Sequence, residues 1–240
     1  MSAPVQPAAG PVVRLPVAVL AVLATVVVAL LAVALVVRLD ADRLPLGPPR
    51  DPPPAPAEAT DFSVDGARTA RFQELSLTLP GAPFGCGGGQ APPTGFTAYV
   101  GCSHVVHRDY NAAGDDWSAL SGVLLVGDDL VTEGDLGTTT KAVFDALVPQ
   151  LYSAGDRYSL SKVSDGGVRL AVPADRVGSR LANVDVRKQG LDTPYDRLAV
   201  VVVRLESGRC VAFFSDFPHD GGTAALQAVT TSLNTISVRG

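Results

Sequence analysis

Residues 15–37 run for 23 positions without a charge, and Thr25 is the only hydroxyl or amide side chain among them. Arg14 and Arg38 close the run on its two sides. As a helix the run is about 35 Å long, enough to cross a hydrocarbon core of about 30 Å. It therefore predicts a single transmembrane helix and places the rest of the chain beside a bilayer. A cleaved signal peptide is the alternative. Its apolar stretch is usually about 7–15 residues long, shorter than this one. The A-x-A match Ala32-Val33-Ala34 also lies inside the run rather than after it. No cysteine sits in the run or just beyond it, so lipoprotein processing has no acceptor.

Arg38, Arg43 and Arg50 follow the run, while only Arg14 and the α-amino group precede it. Counting basic residues alone would put the C-terminus inside, but large C-terminal domains translocate with little regard to that count. A proline-rich spacer leading to a cysteine-bearing domain is similar to bacterial envelope proteins. We therefore expect a single-pass cell-membrane protein with its C-terminal domain extracytoplasmic.

The chain divides into a short tail (1–14), the anchor (15–37), a linker (38–60) and a domain (61–240). Seven of the twelve residues 45–56 are proline. Such a segment favours polyproline II and spans about 37 Å at ~3.1 Å per residue, which makes it a semi-rigid stalk. The domain is long enough to bury a real core. It carries 15 Lys and Arg against 20 Asp and Glu, a balance of −5. A mildly acidic domain without a basic stripe argues against nucleic acid as a partner and gives no attraction to anionic headgroups.

Alternation and apolar runs predict strands at 74–79, 96–102 (extending toward 107), 119–126, 158–163, 168–172, 181–187, 198–205 and 210–214. Asp165-Gly166-Gly167 and Glu206-Ser207-Gly208-Arg209 read as hairpin turns. The run 199–203 suits a strand buried on both faces. Residues 138–152 read as a helix through Val143, Leu147 and Leu151, with Pro149 weakening its last turn. Residues 223–236 form a closing helix with Leu226, Val229 and Leu233 on one side. The order is three strands, a helix, five strands and a helix. It predicts an α+β domain, a mainly antiparallel sheet with two helices packed on one face.

The tail from Arg180 joins the strand Leu181-Ala182-Asn183-Val184 to a long hairpin, the loop Phe217-Pro218 and a final helix, Ala225-Leu226-Gln227-Ala228-Val229-Thr230-Thr231-Ser232-Leu233. Together with the opening strand Leu75-Ser76-Leu77-Thr78-Leu79-Pro80, this pattern resembles the PsbP-like α/β sandwich found in actinobacterial lipoproteins of the LpqN type. The chain departs from that kind in lacking a lipobox cysteine and in its Gly-rich loop. The resemblance implies an accessory or binding domain without a catalytic centre, and it transfers no functional residue.

Three cysteines in an oxidising compartment leave one pair and one spare. Cys86–Cys102 is the first choice, because it staples the loose loop 85–95 at a separation of 16 residues, a closure that contributes about 3 kcal/mol. Cys102–Cys210 across neighbouring strands and three free thiols are the alternatives.

His104, His107 and Asp109 look like a metal or hydrolytic cluster. On a strand, however, odd spacing sends the two histidines to opposite faces. Joining them to His219 and Asp220 as a zinc site would need a bend, so no metal is expected. Ser159-Leu160-Ser161-Lys162 matches S-x-x-K, whose chemistry needs a helix, whereas this segment reads as a strand. Asp109-x-Asn111-x-x-Gly114 fails as a calcium loop at Ala113 and Leu120. The glycines at 85–89 lack the lysine and helix of a phosphate loop. Tyr110, Trp117 and Phe96 could line a cleft, although Trp117 suits core packing better.

The sequence thus predicts a membrane-anchored envelope protein with a non-catalytic binding or scaffolding domain and no cofactor. Its partners would be the bilayer, through residues 15–37, and an unidentified envelope protein or small ligand. An envelope hydrolase or transferase using His104, His107 and Asp109 is the competing class.

Overall fold

The computed structural model describes residues 61–87, 91–152, 157–187 and 190–239. The tail, anchor and linker at 1–60 lie outside the described residues. Among the described residues no helix is long and apolar enough to cross a membrane.

Six strands come first: β1 (Ser63–Val64), β2 (Thr69–Phe72), β3 (Leu75–Thr78), β4 (Gly85–Gly87), β5 (Phe96–His107) and β6 (Trp117–Val126). Helix α1 (Leu136–Leu151) follows, then β7 (Arg157–Asp165), β8 (Val177–Arg187), β9 (Asp196–Arg204), β10 (Cys210–Pro218), helix α2 (Thr223–Asn234) and β11 (Ser237–Val238). The large sheet has seven strands in the order β4-β5-β6-β10-β9-β8-β7, and the small sheet has the order β1-β2-β3-β11. Every pair within them is antiparallel.

Both faces of the large sheet are covered, and β9 shows how. Val201 and Val203 point into one core, with Leu75, Leu77, Phe213, Ala225 and Val229. Val200 and Val202 point into the other, with Val143, Phe144, Leu147 and Val184. A continuous β-branched run is what a strand between two dry layers requires, and each buried valine contributes about 1.5–3 kcal/mol. The helices therefore lie on opposite faces rather than together on one. Helix α1 covers one face, and α2 shares the other with the small sheet, of which β3 falls within the expected strand 74–79 while β1, β2 and β11 are too short to show a period.

Helix α1 starts two residues before its expected place, because the Asp135 side chain accepts from the Thr138 N–H at 2.9 Å. Such a cap satisfies a donor that the helix cannot. The helix sits tight on β8 at Gly178, where an added Cβ would meet Thr140 Oγ1 at 2.1 Å. Pro149 occupies the last turn, and Tyr152 closes the helix by donating its N–H to Val148 O at 3.1 Å.

Two further expectations need correction. Strand β7 pairs with β8, and residues 168–172 do not form a strand; Ala171 makes only an isolated parallel bridge to Ser237. Gly166 and Gly167, at φ 79° and 91°, turn the chain off the large sheet, and Val168, Leu170 and Val172 then pack on the core that includes the small sheet. Helix α2 buries Ala225, Val229 and Ser232, while Leu226 is 38% exposed. Ser232 is drawn inward because its hydroxyl donates to Thr78 O at 2.6 Å.

The β9–β10 hairpin stands where its turn residues placed it. Gly208, at φ 85°, donates to Leu205 O at 3.0 Å.

Candidate functional site

The start of β9 and the end of β10 bring two carboxylates together on the face covered by α1. The register pairs Asp216 with Leu198 and Pro218 with Asp196, so the two acids are diagonal neighbours on one face. Asp196 is 0% exposed and Asp216 3%. Tyr152, at the end of α1, donates its hydroxyl to Asp216 Oδ1 at 2.6 Å. The Trp117 indole N–H, at the start of β6, points at Asp196 Oδ1 at the long distance of 3.4 Å. Asp196 Oδ2 is buried and has no hydrogen-bond partner among the described residues. Aromatic rings run across the acids in a row, with centroid separations of 6.1 Å for Tyr110–Trp117, 6.3 Å for Trp117–Tyr152 and 5.4 Å for Tyr152–Tyr158.

At the rim of this cluster, His107 Nε2 lies 3.1 Å from Asp220 Oδ2. The geometry is that of a charge contact rather than an aligned hydrogen bond. His219 stacks on Tyr195 at 4.6 Å and donates its backbone N–H to Tyr195 O.

Burial dominates the electrostatics. It pushes the Asp196 carboxyl up to about 7, with Asp220 adding repulsion and Trp117, Tyr152 and His107 acting against the rise. Burial and the nearby Asp196 charge raise Asp216 well above the usual carboxylate range. The Tyr152 hydroxyl is held protonated by its burial and by both carboxylates. Partial burial works against ionisation of Asp220 too, but Thr193, His107 and the backbone outweigh it and hold the carboxyl low. Two carboxylates that cannot both ionise in a dry site keep a proton. Both are shut off from solvent.

The residues singled out from the sequence are dispersed. Cys86 and Cys102 are joined in a disulfide between directly paired positions of β4 and β5, and Cys210 is buried and free. His104 packs edge-on to Phe84 at 5.8 Å, away from the His107–Asp220 contact. Asp109 belongs to neither, since its Oδ1 accepts from the Gly114 N–H. Asn111 likewise spends its amide on Asp115 within the same turn. Ser159 and Lys162 lie on β7, at a bulge where Lys162 has φ 49°. Phe96 pairs with Val126 at the far end of β5 and β6 from Trp117, about 30 Å away at the rise of a strand, so the three aromatics share no cleft. Among the described residues no three of His, Cys, Asp and Glu are grouped to hold a metal ion.

Two surface grooves lie elsewhere. One, of about 560 Å³, runs between the start of α1 and β8, past Lys141, Gly178 and Arg180. The other, of about 540 Å³, lies between Leu79–Ala82 and α2.

Asp196, Asp216 and Tyr152 escaped the sequence reading because the bonds that join them span 64 residues (Tyr152 to Asp216) and 79 (Trp117 to Asp196). One signal was available: Asp216 continues the inward series Ala212 and Phe214 along a strand with no polar face.

These features define an α+β sandwich with an acid pair sealed in one end. No protein-family model matches the chain. No curated protein matches it. A solved structure is similar to it: the solution structure of cyanobacterial PsbP (CyanoP) from Synechocystis sp. PCC 6803, at 12% identity and a TM-score of 0.43, covering 80% of this chain and 100% of that one. That protein carries the name of the fold which the C-terminal pattern resembles, and no residue role follows from a likeness of this size.

Proposed function

We propose that this chain is a single-pass membrane protein whose extracytoplasmic α+β domain binds or scaffolds an envelope partner and is not an enzyme. The observation that carries this reading is the burial of Asp196, Asp216 and Tyr152, each at most 3% exposed. Acid–base catalysis needs a group within hydrogen-bond reach of a substrate, and these three meet only protein. The disulfide supports an oxidising compartment, and the uncharged run at 15–37 supports the anchor.

Thiol counting tests the placement. The full chain is extracted from its own membranes, denatured without reductant, alkylated and weighed intact. One alkylated thiol, Cys210, is the expected result. Three would remove the oxidising compartment and with it the outward domain. Exchange of residues 15–37 for an unrelated apolar helix should leave the domain outside and its partner capture intact. Loss of capture would move the function into the anchor.

A further inference from the structure

We propose that Asp196, Asp216 and Tyr152 form a buried proton-binding site, and that occupancy of this site sets how firmly the α1 end of the sheet is closed.

The geometry supplies a place for one proton and shows what an empty site would lack. Tyr152 has one hydroxyl proton, and it points at Asp216 Oδ1. The hydroxyl oxygen can still accept, and Tyr152 and Asp196 are near enough to act on each other's proton binding. Asp196 Oδ2 has no donor among the described residues, and Asp196 has no exposure. A proton taken from water onto this carboxyl removes one negative charge and turns the orphaned acceptor into a donor toward Tyr152. Asp196–Tyr152–Asp216 then becomes a chain of two hydrogen bonds with one net charge. Without that proton, two carboxylates have, among the described residues, only the phenol of Tyr152 and the distant indole N–H of Trp117 as side-chain donors in a dry site, an arrangement that is costly to hold.

Every element packed on the site bears on it. Strand β6 brings the neutral indole of Trp117. Strand β7 brings Tyr158, stacked on Tyr152. Strand β5 brings His107, and the loop before α2 brings Asp220, whose charges act on Asp196 in opposite senses. The side chains of His107 and Asp220 are 30% and 40% exposed, so solvent reaches the rim of the site there. Proton release would loosen the contact of Tyr152 with β10, which closes the end of α1 on the sheet. The inference does not depend on where the domain resides.

The sign follows from linkage. Asp196 binds its proton more tightly folded than unfolded, so its contribution to stability is full below the ordinary carboxylate value and is lost as pH rises toward about 7. The test uses the full chain in detergent micelles, unfolded with urea from about pH 5 to 8, with Trp117 fluorescence as the readout, because Trp117 is the sole tryptophan and lies in the site. The unfolding constant of the native chain should rise about tenfold per pH unit up to about pH 7, relative to Asp196→Asn, which mimics the protonated acid. Parallel profiles for the two proteins would overturn the proposal. Should Asp196→Asn not fold, carbon NMR of aspartate-labelled native chain decides: a carboxyl titrating near neutrality supports the site, and all carboxyls titrating below about pH 5 sink it.

Discussion

A single hydroxyl carries much of the order at the buried end of this domain. Tyr152 satisfies Asp216 at 2.6 Å and stacks between Trp117 and Tyr158. Tyr152→Phe keeps the ring and removes the donor, which leaves a buried acceptor unmet. The expected loss is about 1–3 kcal/mol in urea unfolding at pH 7, with the near-ultraviolet aromatic signal retained. A second residue-scale effect comes from the disulfide. Replacing Cys86 and Cys102 together by serine should lower stability by about 3 kcal/mol for the loop that the bond closes. The same pair of substitutions should leave the reactivity of buried Cys210 toward alkylation unchanged while the protein is folded. The disulfide partners were legible because they flank one loop. Asp196 was not, because an acid at a strand's start reads as solvated until the register of β10 and the end of α1 enclose it.

Among the elements, α1 depends most on one neighbour. Gly178 lets the helix approach β8 until a Cβ would meet Thr140 Oγ1 at 2.1 Å. Gly178→Ala should cost about 1–3 kcal/mol through overpacking, and adding Thr140→Ala should recover part of that loss. A double-mutant cycle with no coupling between the two positions would show that the contact is not what limits the approach. Elements with a clear period could be read in advance: β3 through Leu75 and Leu77, β9 through its valines, and α1 through Val143 and Leu147. What stayed hidden was pairing. Residues 168–172 alternate like a strand, but two left-handed glycines steer them to the other core, and local pattern carries no information about which core is waiting. Helix α2 shows the same limit, since Ser232 outcompetes a leucine for the interior through one hydrogen bond to β3.

At the scale of the molecule, two sets of acids impose opposite pH dependences. Glu74 accepts from the Glu206 N–H at 2.6 Å and from Arg176 at 3.1 Å, and so ties the β2–β3 turn to the β9–β10 turn. Burial opposes its ionisation, but these bonds outweigh that and hold the carboxyl below its usual 4.5. A lowered folded value gives stability above the unfolded value that is lost as pH falls through the folded one. Glu74→Gln should therefore cost about 1–2 kcal/mol at pH 7 and nothing once the carboxyl is protonated in both states. Asp65 and Asp135 are lowered as well and add to the acid-side loss, whereas Asp196 and Asp216 act on the alkaline side. Thermal midpoints across pH should pass through a maximum on the mildly acidic side of neutrality, and Asp196→Asn should shift that maximum upward.

The small sheet also decides how this domain would behave under load. A pull transmitted through residue 61 meets β1 first, which is held by two residue pairs, Ser63 with Arg71 and Val64 with Ala70. These would open one after another, like a zip. The Cys86–Cys102 bond then bars extension of the loop between them and hands the load directly to β5, inside the seven-stranded sheet.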